Sequence, residues 1–124
     1  MNDLLIVDDE FSVRQVLEGI LRRANIPCRS AATVRKLLQA VAADWPGAIL
    51  LDINLEHDGD GWQVWDQLEQ LAQGRPLRVI VYAAALDGRD REAAQQRGAA
   101  AILSKTTPPR QLVDTVRQVL GEGA

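Results

Sequence analysis

Leu4-Leu5-Ile6-Val7-Asp8-Asp9, Ala48-Ile49-Leu50-Leu51-Asp52 and Ala101-Ile102-Leu103-Ser104-Lys105 are three short, largely apolar runs that each end on charge. Apolar runs of this length, separated by helical stretches, read as strands buried on both faces, as in a parallel sheet. In an open α/β sheet the carboxyl ends of the strands build the functional crevice. The three runs therefore predict one crevice holding three carboxylates, Asp8, Asp9 and Asp52, and one ammonium, Lys105.

Working outward, apolar period and chain breakers alternate in a five-fold strand–helix rhythm. The first unit is a strand over 3–8 and a helix over 11–24, with Val13, Val16, Leu17, Ile20 and Leu21 at helical spacing and Asn25-Ile26-Pro27 as the break. A strand over 27–31 leads to a helix over 33–43, with Thr33 as amino-terminal cap and Leu37, Leu38 and Val41 as the stripe. The third strand runs to Asp52, and after a polar, glycine-rich loop a helix covers 61–73 with Trp62, Val64, Trp65, Leu68 and Leu71. A strand over 77–83 and a helix over 86–97 with a weak apolar stripe make the fourth unit. A strand over 99–104 and a helix over 109–120, started by Pro109 and carrying Leu112, Val113, Val116, Val119 and Leu120, make the fifth. Parallel strands require right-handed crossovers, so five such units predict an α/β domain of three layers, α/β/α.

Composition is consistent with this. The 124 residues are 47% hydrophobic, enough for a two-sided core, and we read residues 1–124 as one domain. Fourteen basic against 17 acidic residues leave a net charge of −3 with no basic stripe, which argues against direct nucleic-acid binding. The single cysteine, Cys28, excludes an internal disulfide and reads as buried strand filler in a reducing compartment. The sequence starts without an apolar signal region, and no apolar run approaches the roughly 20 residues of a membrane span, so the expectation is a cytoplasmic protein with no membrane partner.

The expected crevice has the parts of a phosphoryl-transfer site: a carboxylate nucleophile, acidic oxygens that suit Mg²⁺, and a lysine for a phosphoryl oxygen. Each part alone is weak, since an acidic pair after a strand is commonly a helix-capping turn. Together they carry a resemblance. Leu5-Ile6-Val7-Asp8-Asp9-Glu10, Leu50-Leu51-Asp52-Ile53-Asn54-Leu55 and the run from Gly98 to Lys105 resemble the receiver domains of two-component response regulators over nearly the whole chain. The resemblance implies a flavodoxin-like, doubly wound sheet of order 2-1-3-4-5. It also implies that Asp52 accepts a phosphoryl group from a sensor histidine kinase or phosphotransfer protein. Mg²⁺ would be bound by Asp9, Asp52, the Asn54 carbonyl and, through water, Asp8, with Lys105 on the phosphoryl group. A receiver of this kind catalyses only its own phosphorylation and dephosphorylation, and so is a switch rather than a metabolic enzyme. A haloacid-dehalogenase-like phosphatase, the enzyme alternative, expects Asp-x-Asp where this chain has Asp8-Asp9-Glu10.

Three departures bear on switching. The hydroxyl residue expected at the end of the fourth strand is Ala83, and the aromatic expected three residues before the lysine is Ile102. Tyr82, beside Ala83, is a tempting substitute, but strand alternation points it to the opposite face, where core packing is the preferred reading. The loop after Asp52 has Glu56 in place of proline and one extra residue before Gly61, and Thr106 replaces the proline after the lysine. Glu56 and His57 read as solvated, and Asp58-Gly59-Asp60-Gly61 as a turn rather than a calcium loop. Trp62 and Trp65 read as packing residues. Arg89, Asp90, Arg91 and Glu92 read as a solvated helical face, the other reading being a homodimer surface, because activated receivers dimerise through their fourth helix, fifth strand and fifth helix. Two functions follow: a Mg²⁺-dependent phosphoacceptor, or an interaction module whose binding no longer depends on phosphate.

Overall fold

The computed structural model describes residues 3–55 and 59–121. In chain order the elements are β1 (Leu4–Val7), α1 (Phe11–Arg23), β2 (Cys28–Ala31), α2 (Val34–Ala43), β3 (Ala48–Asp52), β4 (Asn54–Leu55), β5 (Gly59–Asp60), α3 (Gly61–Ala72), β6 (Val79–Ala83), α4 (Gly88–Gln96), β7 (Ala101–Ser104) and α5 (Pro109–Gly121). Five strands form one sheet in the order β2-β1-β3-β6-β7, every neighbouring pair parallel. Counted within that sheet, this is the expected order 2-1-3-4-5.

Alternation along the strands divides the core in two. Leu5, Val7, Ile49, Leu51, Val79, Val81 and Ala83 pack with α2, α3 and α4 residues such as Leu37, Val41, Val64, Trp65, Leu68 and Ala94. Leu4, Ile6, Ala48, Leu50, Ile80, Tyr82 and Leu103 face the other way, against Leu17 and Leu21 of α1 and Leu112, Val116, Val119 and Leu120 of α5. Each aliphatic side chain taken fully out of water here contributes roughly 1.5–3 kcal/mol. The amino end of the sheet is tied by Arg29, whose guanidinium meets Asp3 at 2.6 Å and also donates to the Ala40 and Asp44 carbonyls at the end of α2.

Local signals acted as expected at several ends. The Thr33 hydroxyl accepts from the Lys36 N–H at 3.1 Å, and α5 begins at Pro109. Elsewhere the structure corrects the sequence reading. The loop after Asp52 is not wholly irregular: Asn54 pairs with Asp60 and Leu55 with Gly59 in a short antiparallel ribbon, whereas Glu56, His57 and Asp58 lie outside the described residues. Helix α4 is shorter than 86–97, because Asp87 and Asp90 form a reciprocal capping box that starts it at Gly88. Val16 is 61% exposed although it lies at helical spacing, since α1 contacts the sheet through Leu17 and Leu21. Cys28 is half-buried rather than buried, Val113 is only partly covered, and Leu71 is exposed.

One glycine holds the site's strand and α3 together. A Cβ on Gly61 would lie 2.5 Å from the Ile53 Cα and 3.1 Å from the Asp52 carbonyl oxygen, both backbone atoms that cannot swing aside. Gly61→Ala is therefore expected to lose roughly 1–3 kcal/mol in urea unfolding. Gly88→Ala, with nothing within 4 Å of the new methyl, should be neutral or gain roughly 0.5–1 kcal/mol. Equal effects would show that the close approach at Gly61 does not constrain the fold.

Candidate functional site

The carboxyl ends of β1, β3 and β7 converge as the apolar runs predict. Lys105 reaches back from just beyond β7 and places its Nζ 3.0 Å from Asp8 Oδ2 and 3.0 Å from Asp52 Oδ2. Both carboxylate side chains are 1% exposed and the lysine 17%. The contact with Asp52 is a directed hydrogen bond. Asp8 Oδ2 is met in distance only and has no hydrogen-bond donor aimed at it. Each other oxygen is held by the chain just ahead: Asp8 Oδ1 accepts from the Glu10 N–H and Asp52 Oδ1 from the Asn54 N–H, both at 2.9 Å. These short loops keep the carboxylates from turning.

Electrostatics follow from burial and pairing. Burial pushes the Asp52 carboxyl above its ordinary range, against the opposing pull of the Asn54 N–H and of Lys105. Burial on its own would lower Lys105, but its hydrogen bond to Asp52 and the negative charges of Asp52 and Asp8 outweigh it and hold the ammonium well above the ordinary lysine range. The site thus keeps a fixed cation facing an acid whose ionised form is costly.

The other predicted residues are placed differently. Asp9 is half-buried and forms, with Asp8 and Glu10, a set whose carboxylate oxygens lie within 4.8 Å of one another, suitable for a cation. Glu10 was not among the predicted ligands, and an acid in the next position is the only signal that could have found it. Asp52 is not in that set and meets Asp8 through the Lys105 ammonium they share. Asn54 is exposed and meets Asp52 through its backbone N–H. Ala83 is fully buried on the α2–α3–α4 face, and its carbonyl accepts from the Lys105 N–H at 2.9 Å. Ile102 packs half-buried on the same face. Tyr82 lies on the opposite face, as alternation requires, in the core with α1 and α5, yet Lys105 Nζ sits 5.8 Å from its ring centroid. Thr106 bonds the Ser104 hydroxyl at 2.8 Å, and no peptide is cis among the described residues. Trp65 is buried, and Trp62 stacks on it with centroids 6.1 Å apart and with Arg97 over both rings.

Removing the cation should expose the cost of the two acids. Lys105 has a raised folded-state value, so its stabilising effect is fully present below about 10.4, the ordinary lysine value, and fades as pH climbs through the raised one. Asp52, also raised, costs stability as pH rises out of the ordinary carboxylate range. Lys105→Met is expected to lower stability by about 3 kcal/mol near pH 7, the low end for a broken buried pair because the ammonium keeps some solvent. In urea titrations the deficit should shrink as pH falls from 7 and Asp52, its carboxyl raised by burial, takes up its proton. A deficit that does not change with pH would mean that Lys105 acts by packing.

With this geometry in view, similarity to known proteins is informative. The family model for the response regulator receiver domain matches residues 4–117. The transcriptional regulatory protein GltR of Pseudomonas aeruginosa is 30% identical over 117 residues, covering 94% of this chain and 48% of its own length. The KDP operon transcriptional regulatory protein KdpE of Escherichia coli is 34% identical over 105 residues, covering 85% and 45%. The chain thus spans about half the length of these curated relatives. The receiver domain of NtrX from Brucella abortus superposes with a TM-score of 0.86 at 27% identity, over 96% of this chain and 98% of that one. Matched sequence and a shared doubly wound sheet agree: this chain belongs to the receiver domain family of two-component response regulators.

Proposed function

We propose that the chain is a phosphoacceptor receiver that takes a phosphoryl group onto Asp52 from a phosphohistidine on a sensor kinase or phosphotransfer protein. The observation that supports this most is the Lys105 ammonium held 3.0 Å from the buried carboxylates of Asp8 and Asp52. A relic pocket would gain from an apolar residue there, because buried ion pairs seldom repay their desolvation.

In this reading an Asp52 carboxylate oxygen attacks phosphorus, the phosphorus–nitrogen bond breaks and the imidazole leaves with its electron pair. The attacking group is a carboxylate stripped of water, and the Asn54 N–H on Oδ1 fixes its orientation. Lys105 moves from Asp52 Oδ2 to a phosphoryl oxygen and stays charged throughout, as its raised value requires. The residues fit a divalent cation: Asp8 Oδ2 is buried with no directed donor, and Asp9 and Glu10 set further carboxylates beside it. Mg²⁺ would be held by Asp9, Asp52, the Asn54 carbonyl and, through water, Asp8, and when bound would supply positive charge to offset that of the phosphoryl oxygens. Beyond this self-modification we assign no enzymatic turnover, and we take residues 1–124 to act as one receiver unit.

A second reading has its own observation. Ala83 and Ile102 leave the α2–α3–α4 face without the hydroxyl and the ring that receivers commonly use, which favours a module whose partner binding is indifferent to phosphate. Beryllofluoride, a mimic of the aspartyl phosphate, separates the two. With millimolar Mg²⁺ the phosphoacceptor reading expects a saturable change in tryptophan fluorescence through Trp62, abolished by Asp52→Asn. No binding at all would overturn it. Binding that leaves affinity for the cognate kinase or output partner unchanged would decide for the indifferent module.

A further inference from the structure

Tyr82 is the only tyrosine in the chain, and it stands where two features meet. One is the site: Tyr82 is the cross-strand partner of Asp52 in the parallel register, and Lys105 Nζ lies 5.8 Å from its ring centroid. The other is an open groove of about 340 Å³ between α1 and the start of α5, lined by Val13, Val16, Leu17, Ile20 and Leu112 together with Tyr82 and Lys105 themselves. Tyr82 is 6% exposed, so sheet and helices hold most of the ring, and its free side is this groove.

We propose that Tyr82 is a positioning residue that acts through Lys105, carrying the state of Asp52 to the α1–α5 groove, on the face of the sheet opposite Ala83 and Ile102. The proposal rests on the phosphoacceptor reading above. The Lys105 ammonium is divided among two carboxylates and one aromatic face, and among the described residues it is the cation paired with both acids. A phosphoryl group on Asp52 replaces the single charge of the carboxylate with a phosphate of about −1.5 to −2, by analogy with other phosphorylated side chains, and carries that charge outward onto the phosphoryl oxygens. The ammonium follows the new charge and its place over the ring changes. A cation over an aromatic face helps fix the ring's orientation. When the cation shifts, the ring can yield only where it is not packed, toward the groove.

Placement on the faces strengthens the argument. Alternation puts Asp8, Asp52 and Tyr82 on the side of Leu4, Ile6, Ala48, Leu50 and Ile80, whereas Ala83 and Ile102 belong to the other core. A methyl group at Ala83 and a branched aliphatic at Ile102 offer no hydrogen bond to a phosphoryl oxygen. The groove face, by contrast, has a ring, a cation on it and open volume beside it. It also carries Val16, 61% exposed, so a change of groove shape reaches the molecular surface directly.

The test uses the whole chain, labelled with nitrogen-15 and with 3-fluorotyrosine, titrated with beryllofluoride and Mg²⁺ to saturation. The fluorine signal of bound beryllofluoride reports occupancy independently of Tyr82. The expected result is a shift of the one tyrosine fluorine line together with amide shifts at Val13, Val16, Leu17 and Leu112. Tyr82→Leu should still bind beryllofluoride but show these amide shifts reduced at least about fivefold, whereas Tyr82→Phe, which keeps the ring, should restore them. If Tyr82→Leu does not fold, Tyr82→Met serves the same comparison. Beryllofluoride bound with an unmoved fluorotyrosine line overturns the proposal, as do groove shifts of wild-type size in the Leu or Met variant. Shifts confined to Ile102 and α4 likewise overturn it. Absence of bound beryllofluoride in the wild type overturns the phosphoacceptor reading itself and is distinguished by its own fluorine signal.

Discussion

A single ammonium placed between two carboxylates that are almost wholly out of water is the constraint from which the rest of this molecule can be understood. Two buried acids at the ends of adjacent strands repel each other and each costs several kcal/mol to desolvate. Lys105 offsets that cost only by reaching both at 3.0 Å, which requires β1, β3 and β7 to stop in register and the turn after β7 to be fixed. The required anchors are present. The Lys105 N–H is bonded to the Ala83 carbonyl, Thr107 to the Ser104 carbonyl, and the Glu10 and Asn54 amides lock the acids from the other side. The fold supplies the stiffness: β1 and β3 are short strands buried along their whole length, which leaves little freedom for their carboxyl ends.

How far the sequence discloses this depends on whether a feature is local. The strand order came from the receiver resemblance alone, whereas site convergence was legible because Leu4–Val7, Ala48–Leu51 and Ala101–Ser104 are short, largely apolar runs with charge just beyond them. The Thr33 cap and the Pro109 start were legible for the same reason. The β4–β5 ribbon was not, since Asn54, Leu55, Gly59 and Asp60 carry a turn-like composition with no apolar alternation to mark a strand. The exposure of Val16 was hidden too. Helical spacing puts it on the apolar side of α1, but only the distance to α5 decides whether that side is covered. That Glu10 joins Asp8 and Asp9 in one acidic cluster was not legible either: the side-chain directions after a strand end are set by the turn into α1, which no period in the sequence encodes.

Tyr82 illustrates a subtler limit. Alternation places it opposite Ala83, and by that rule it looks removed from the chemistry and available for packing. Both statements hold, since Tyr82 is indeed buried, in the core it shares with Leu103 and with α1 and α5. What alternation along one strand does not reveal is the cross-strand register, and the register sets Tyr82 beside Asp52. The charged residue of one strand and the aromatic of the next then share a face, so the side of the sheet that holds the acids is also the side that holds the ring.

Faces of the sheet therefore separate two tasks. The α2–α3–α4 face is packed through with aliphatic and tryptophan side chains, and its α3 is held to Arg97 at the end of α4 by the Trp62–Trp65 stack and by Asp66, an arrangement that resists displacement. The α1–α5 face keeps an open groove beside the cation and a partly uncovered helix. A charge introduced at Asp52 does work on whatever can move, and close-packed cores move little. With Ala83 and Ile102 giving the packed face no polar contact to a phosphoryl group, the mechanical response of this molecule is directed to the side where space and a polarisable ring already lie next to Lys105.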